Sequence, residues 1–335
     1  MKALVTGGGG FLGSVICRKL VESGYEVRSL CRGRYPEVEA LGVEAHRGDI
    51  ADYDAVRKAA GGCDVVFHVA AKAGMWGRYA DYYAANVTGT ENVLRACCEV
   101  GIGRLVYTST PSVVHRGGDV EGIDESAPYA EHFTAHYPKT KMQAERLVLT
   151  ANGNGLKTVA LRPHLILGPG DNQIAPRFIA RHKAGSLRLI DGAQKMVDTV
   201  YVDDAADAHL LAADALERGT CAGKAYFITQ DDPRPQKEVI NRILDAAGLP
   251  PVEARVSYRV AYTVGAIFEF VYGALRIESE PRMTRFVAEQ LGTAHWYDIR
   301  AARRDLGYSP RVSFDEGMER LAAWLGTTGS RGLPR

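Results

Sequence analysis

Neither charge sign is in excess in this chain: 41 Lys and Arg face 40 Asp and Glu, giving a net charge of +1 over 335 residues. A nucleic-acid binder needs a basic field, so no nucleic-acid partner is expected. The six cysteines, Cys17, Cys31, Cys63, Cys97, Cys98 and Cys221, have neither metal-ligand spacing nor a disulfide framework. Scattered thiols of this kind suit a reducing compartment, and a cytoplasmic protein is expected. His132 and His136 are four apart but lack the glutamate of a zinc-hydrolase helix, so no metal site is expected. No G-x-S-x-G is present, which argues against a serine-nucleophile elbow. No apolar run reaches the roughly 20 residues of a membrane span. Near the start, Ala3-Leu4-Val5 runs straight into glycines, which reads as a core strand and not as a signal peptide.

What the chain does have is alternation. Residues 3–6, 26–30, 43–46, 64–69, 105–108 and 158–161 read as strands. Residues 11–23, 52–60, 79–100 and 138–151 read as the helices between them. Short β-rich runs separated by helices imply parallel βαβ units, and a parallel sheet has to be covered on both faces. The expected fold is α/β: a Rossmann doubly wound parallel sheet with a smaller, mostly helical C-terminal substrate domain. Residues 1–169 are assigned to the NAD(P)-binding domain and 170–335 mainly to the substrate domain. Within the latter, 178–184 and 203–216 read as helices and 197–202 and 225–229 as strands, with 197–229 packing back on the Rossmann sheet. From residue 233 onward helices and loops are expected, and the Gly-, Thr- and Arg-rich tail from Gly326 is expected to fray.

The first turn is Thr6-Gly7-Gly8-Gly9-Gly10-Phe11-Leu12-Gly13, with Gly7, Gly10 and Gly13 in G-x-x-G-x-x-G spacing. Glycines between a strand and a helix let backbone N–H groups approach a pyrophosphate, and the helix directs its positive end at that charge. Such turns are common, and the strand before and helix after are what give this one weight. An NAD site usually carries an acid about 20 residues further on. Here that stretch reads Ser29-Leu30-Cys31-Arg32-Gly33-Arg34. Arg32 and Arg34 suit a 2′-phosphate, so NADP(H) is favoured, with NAD the alternative; the plainer reading is a solvated loop. Asp49 sits where an adenine contact is expected.

Of the 16 tyrosines, only Tyr137 is followed four residues later by lysine, Lys141. On a helix the two share a face. A phenol ionises near pH 10 on its own, and a neighbouring ammonium lowers that value, which suits proton exchange with a carbonyl or alcohol oxygen.

With these residues the chain resembles an extended short-chain dehydrogenase/reductase. The similarity is carried by residues 6–13, Asn86-Val87-Thr88-Gly89-Thr90-Glu91-Asn92-Val93, Tyr107-Thr108-Ser109-Thr110, residues 137–141 and Leu161-Arg162-Pro163. The resemblance implies a third catalytic hydroxyl at Thr110, with Ser109 the weaker candidate, beside Tyr137 and Lys141. It implies cofactor contacts at Gly7, Gly10, Phe11, Leu12, Gly13, Arg32, Arg34, Asp49, Ile50, Ala70, Tyr137, Lys141 and Pro163, and a homodimer built on the helices at 79–100 and 138–151. Residues 161–172, 197–204 and 222–229 are similar to the 3β-hydroxysteroid dehydrogenase-like branch. Residues 70–77, 108–113 and 295–297 resemble one subgroup of it, the reductases of 2-alkyl-3-oxoalkanoates in bacterial long-chain olefin biosynthesis. That likeness implies NADP(H)-dependent reduction of a long-chain β-keto acid to the 3-hydroxy acid, in assembly with other enzymes of that pathway. The alternatives are a 3β-hydroxysteroid or 4-carboxysterol 3-dehydrogenase and, in another class, a nucleotide-sensing protein without chemistry. The latter need not keep Tyr137 and Lys141.

Three further expectations concern the substrate side. Residues 260–275 carry a single charge, Glu269, and read either as a core helix or as a lid or interfacial helix that shelters alkyl chains at a membrane surface. Lys72 or Arg78 is the expected partner of a substrate carboxylate; the plainer reading of either is a solvated side chain. Asn86 either bonds a group in the site or braces its helix, and His164 either lies near the nicotinamide or is structural.

Overall fold

The computed structural model describes residues 1–328. Seven strands form the central sheet: β1 (Lys2–Thr6), β2 (Glu26–Cys31), β3 (Glu44–Arg47), β4 (Val65–His68), β5 (Arg104–Thr108), β6 (Lys157–Pro163) and β7 (Lys224–Ile228). Their order is β7-β6-β5-β4-β1-β2-β3, and every pairing is parallel. The chain starts in the middle, winds out to β3, returns to β4 and winds the other way. The carboxyl ends of β1 and β4 therefore meet at a topological switch point, where open α/β sheets bind their ligands.

Alternate side chains of each strand feed two cores. Ala3, Val5, Phe67, Val106, Val159 and Leu161 pack beneath helices Phe11–Glu22 and Val202–Arg218. Leu4, Val66, Leu105, Tyr107 and Ala160 pack beneath Tyr53–Ala60, Gly89–Val100 and His136–Thr150. Burial on both faces is why the strands read as nearly unbroken apolar runs. In helix Val202–Arg218, Ala205, Ala208, Ala212 and Ala215 are fully buried, and side chains this small let the helix lie close to the sheet.

Two elements differ from the sequence reading. The helix expected over 79–100 is Tyr79–Tyr83, one wide π turn at Ala84–Thr88, and then Gly89–Val100. The strand expected over 197–202 is divided: Met196–Val197 and Val200–Tyr201 belong to different small sheets, and Val202 opens the next helix. The cause of the division is Asp198, fully buried between them, whose carboxylate accepts from the Tyr297 amide at 2.8 Å. Met196–Val197 joins Arg234–Pro235, His295–Tyr297 and Val120–Ile123 in a four-stranded sheet. Strands of two to four residues are too short to leave a periodic signal. The last helix, Phe314–Thr328, includes the first three residues of the expected frayed tail; the rest of that tail lies outside the described residues.

One carboxylate fastens the C-terminal segment to the sheet-covering helix. Asp204, 2% exposed, accepts from the amides of Arg311 (2.9 Å) and Val312 (3.1 Å) and from Gln230 Nε2 (2.7 Å). Asp204→Ala removes the acceptor of three donors, of which the buried Val312 amide is left without a partner, and such an orphaned group costs about 1–3 kcal/mol. The expected result is a Tm lowered by several degrees in calorimetry; an unchanged Tm would show that the segment is held by packing alone.

Candidate active site

The glycine turn after β1 has the geometry of a phosphate cradle. Gly7 has φ +73°, and a Cβ there would come within 2.9 Å of the Ala70 backbone. A Cβ on Gly13 would lie 2.1 Å from the Gly7 carbonyl oxygen, so helix Phe11–Glu22 can start this close to the turn only with glycine at that place. The helix has no side-chain cap and no acid in its first turn. Its free N–H groups, Phe11 and Leu12 among them, are thus available to an anion. The residues present fit a dinucleotide's pyrophosphate.

At the end of β2, Cys31 stands where NAD sites hold an acid, and its sulfur accepts from the Gly9 amide at 3.1 Å. The Arg32 side chain is 84% exposed and only loosely paired, 4.0 Å from Asp49. Arg34 is drawn toward Glu39 at 3.4 Å. Asp49 also accepts from the Ala51 amide, and Ile50 is buried against Gly89. Ala70 donates to Thr6 Oγ1, and Pro163 ends β6 beside Ile228.

Helix His136–Thr150 carries the tyrosine and lysine. Lys141 is 2% exposed, donates to the Thr108 carbonyl at 2.6 Å, and lies 4.1 Å from the Tyr107 ring centre. Burial lowers its ammonium to about 7, opposed by the charge of Glu145 one turn on. Tyr137 behaves differently from the expectation that its lysine would depress it. Burial dominates and pushes the phenol up to about 12, and the group holding it back is the Thr110 hydroxyl. Lys141 is turned to the end of β5 instead. Thr110 caps the short turn Pro111–Val113, its Oγ1 accepting from the Ser112 amide. The Ser109 hydroxyl is buried with no partner among the described residues. At neutral pH the site therefore presents a protonated phenol with a hydroxyl beside it.

Asn86 braces this arrangement. It sits in the wide turn, accepts from the Lys72 amide (2.7 Å), and donates to the Lys72 carbonyl (3.1 Å) and to Thr140 Oγ1 (3.0 Å). One side chain thus fixes the loop after β4 to the residue preceding Lys141. His68, absent from the sequence reading, bridges Thr6 (2.8 Å) and Thr90 (2.9 Å). Burial lowers it to about 3, so it is a neutral strut between β4 and the helix that follows.

Thr110, Tyr137, Phe11 and Pro163 open into one cavity of about 370 Å³. Its far walls are mostly apolar: Ile174, Phe178, Val239, Ile240, Phe286 and Leu291. His164 and His295 meet at 3.1 Å on one wall, both kept neutral by burial. Lys72 and Arg78 are not part of the lining, which corrects the expected carboxylate contact: the Lys72 amino group is drawn to Asp81 at 3.6 Å, and Arg78 is an exposed residue at the start of Tyr79–Tyr83. The cationic side chains of the cavity are Arg177 and Arg181, which the sequence reading passed over. Their i, i+4 spacing after the Gly168-Pro169-Gly170-Asp171 turn was the available signal. The apolar stretch at 260–275 also differs from a core helix. Helix Tyr258–Ala274 buries only Ala261 and Gly265, and none of its residues lines the cavity. It reaches the site indirectly, through the contact of Tyr272 with Trp76.

The profile of the 3-beta hydroxysteroid dehydrogenase/isomerase family matches residues 4–256. The chain belongs to this family. It is 54% identical over 326 residues to the 2-alkyl-3-oxoalkanoate reductase of Stenotrophomonas maltophilia (strain K279a), covering 96% of this chain and 99% of that one. The reductase of the same name from Shewanella oneidensis is 50% identical over 332 residues, covering 96% and 86%. Among solved structures, MoeE5 in complex with UDP-glucose and NAD aligns with a TM-score of 0.75 at 25% identity, covering 98% of this chain and 99% of that chain. The protein is an NAD(P)-dependent oxidoreductase acting between hydroxyl and keto groups.

The two key side chains should separate activity from stability. Tyr137→Phe is expected to lower turnover by about 100-fold or more, the scale of a lost proton donor, with cofactor affinity retained. Lys141→Met should also lose activity but raise the Tm. Between pH 7 and 10.5 the unfolded chain binds the Lys141 proton and the folded chain does not, so wild-type stability gains with rising pH in that window. The burial penalty is fully present below pH 7, so the Tm advantage of Lys141→Met should be largest there and vanish toward pH 10. A constant difference across that range would assign the effect to packing.

Proposed function

We propose that the protein reduces the 3-keto group of a long-chain 2-alkyl-3-oxoalkanoic acid to the 3-hydroxy acid, with NADPH as reductant. The observation that carries this reading is the cavity: the Tyr137 phenol and the Thr110 hydroxyl open into it, and its far walls are mostly apolar. The 54% and 50% identical reductases support the substrate class. A bound reduced nicotinamide supplies the hydride for C3. Tyr137 gives its proton to the carbonyl oxygen as that oxygen gains electrons, and Thr110 holds the oxygen in line. Lys141 holds the ribose. The glycine turn would hold the pyrophosphate, and Arg32, exposed and loosely paired, would meet the 2′-phosphate.

A 3β-hydroxysteroid or 4-carboxysterol is the second reading, favoured by the family's name. A competition assay separates the two. Turnover is expected with a 2-alkyl-3-oxoalkanoic acid and little with a 3-hydroxysteroid; the reverse order would replace the reading. In the same assay Arg32→Ala should weaken NADPH by about 10-fold or more and NADH much less, because only NADPH carries the extra phosphate. Equal losses would remove Arg32 from the phosphate site.

The 3-hydroxy acid would pass to an enzyme that closes it to a β-lactone in long-chain olefin biosynthesis, within an assembly of pathway enzymes. A homodimer, measurable as twice the chain mass in solution, would use the outer faces of helices Gly89–Val100 and His136–Thr150. The protein would act in the cytoplasm at a lipid surface that delivers its substrate. Among the described residues no helix is long and apolar enough to cross a membrane. Helix Tyr258–Ala274 nevertheless exposes Val260, Ile267, Phe270 (77%) and Val271, with Leu275 (67%) just beyond it. Arg259 and Arg276 stand at its two ends. An apolar face flanked by cations suits the boundary of an anionic bilayer. Phe270→Ser with Ile267→Ser should reduce co-sedimentation with phosphatidylglycerol vesicles and raise KM only for long-chain acids presented in them. Unchanged sedimentation would leave this helix without a lipid role.

A further inference from the structure

Among the described residues, one cation of the cavity makes no ion pair. Helix Ala175–Lys183 is started by Asp171, whose carboxylate accepts from the amides of Gln173 (2.8 Å), Ile174 (3.1 Å) and Ala175 (2.7 Å). That start sets the helix phase. Ile174, Arg177, Phe178 and Arg181, spaced three and four apart, all line the cavity. The wall therefore alternates apolar and cationic side chains along its length.

The charged groups of the lining can be taken in turn. Asp171 is committed to the three amides. His164 and His295 are neutral. Arg177 forms a two-pronged pair with Glu280, 3.0 Å on each arm, and also touches Met75 Sδ at 3.2 Å. Glu280 is thereby occupied. Arg181, half-buried one turn further along, has no ion pair and no side-chain hydrogen bond among the described residues. Burial works against its charge, the Glu280 carboxylate opposes that in part, and Arg177 adds a smaller penalty. A guanidinium left this way gains most from a planar anion that accepts two of its N–H groups, and a carboxylate has that geometry.

We infer that Arg181 is the carboxylate-binding and specificity-determining residue of this site, engaging the C1 carboxylate of the keto acid while Tyr137 and Thr110 engage the C3 oxygen. The inference rests on the keto-acid reading above and deepens it. Holding the carboxylate and the C3 oxygen, which are separated by C2 alone, would orient the acid in the cavity, leaving both alkyl arms to the apolar walls at Ile174, Phe178 and Phe286. A neutral 3-hydroxysteroid has no group for Arg181, so this residue would reject it by leaving a partly desolvated cation unpaired.

The test runs in the oxidative direction, where the substrate is chemically stable. It compares 2-butyl-3-hydroxyoctanoic acid with its methyl ester in the full-length enzyme with NADP⁺. The wild type should favour the acid. Arg181→Met should raise KM for the acid by about 10- to 100-fold, the scale of a lost charged hydrogen-bond pair, and for the ester by less than about 3-fold. Arg181→Lys should fall between. NADP⁺ affinity, titrated separately, should be unchanged in both variants. Equal KM changes for acid and ester, a wild type indifferent to the ester group, or a loss confined to NADP⁺ affinity would each overturn the assignment while leaving the keto-acid reading intact. A wild type that oxidises a 3β-hydroxysteroid but neither the acid nor the ester would instead overturn the keto-acid reading, and the assignment with it.

Discussion

A row of ionisable groups on the inner face of helix His136–Thr150 is the constraint around which the site is built. Tyr137, Lys141 and Glu145 follow at four-residue intervals and point at β5 and β6. Glu145 is fully buried and pairs with Arg162 of β6 at 2.5 and 3.1 Å, with Tyr129 donating to it at 2.8 Å. Lys141 lies between that pair and the tyrosine, held by the Thr108 carbonyl. Burying one cation alone would expel its proton or shift the helix. Burying it one turn from a carboxylate keeps the amino group close to neutrality in pKa, where a bound anion or hydroxyl can decide its state. The helix cannot slide along the sheet without breaking the Glu145–Arg162 pair, so the pair also sets where Tyr137 stands at the mouth of the cavity.

The neighbouring polar groups serve the same end without carrying charge. His68 and His209 are fully enclosed, pushed down to about 3 and 4, and bonded to threonines at the ends of β1 and β5. As neutral imidazoles they tie strand ends to helices with directional bonds and add no field to the site. Asn86 does likewise from a wide helical turn, a form that recurs where a helix must present a side chain off its regular face. A regular helix over 79–100 would advance every later residue by a different angle. Asn86 would then lose either the Lys72 backbone or Thr140.

The sequence was legible where one local pattern dictated the structure. Strands buried on both faces left apolar runs at Ala3-Leu4-Val5 and Val65-Val66-Phe67, and the glycine turn left its spacing because Gly13 has no room for a side chain. Tyr137 and Lys141 were legible because i, i+4 is a property of the helix itself. The rest depends on contacts distant in the chain. Arg177 and Arg181 look like an ordinary solvated basic stripe until Glu280, about a hundred residues later, neutralises one of them. Lys72 looked like a free cation until the helix start at 79 brought Asp81 beside it. The stretch at 260–275 has the composition of a core helix. Only the packing shows that its single buried line, Ala261 and Gly265, meets Arg285–Gly292 while Val260, Ile267, Phe270 and Val271 are exposed.

Chemistry and selectivity are thus divided between two kinds of structure. Thr110 and the glycine turn follow carboxyl ends of parallel strands, and Tyr137 stands beside Thr110 on a helix fastened to the sheet by the buried Glu145–Arg162 pair. The cavity's far walls come from helix Ala175–Lys183, from Gln236–Ala246 and from Arg285–Gly292; the first two share small cores with each other and the third packs in another, all separate from the cores of the sheet. Among the described residues no hydrogen bond of the Lys141–Glu145–Arg162 row reaches those helices; the link near Tyr137 is Thr134, which donates to Glu289 of Arg285–Gly292 at 2.6 Å. That separation explains how one family can keep a single proton-transfer geometry while its relatives carry names as different as steroid dehydrogenase and oxoalkanoate reductase. In this chain those walls carry Arg181, which has no ion pair among the described residues, amid mostly apolar side chains.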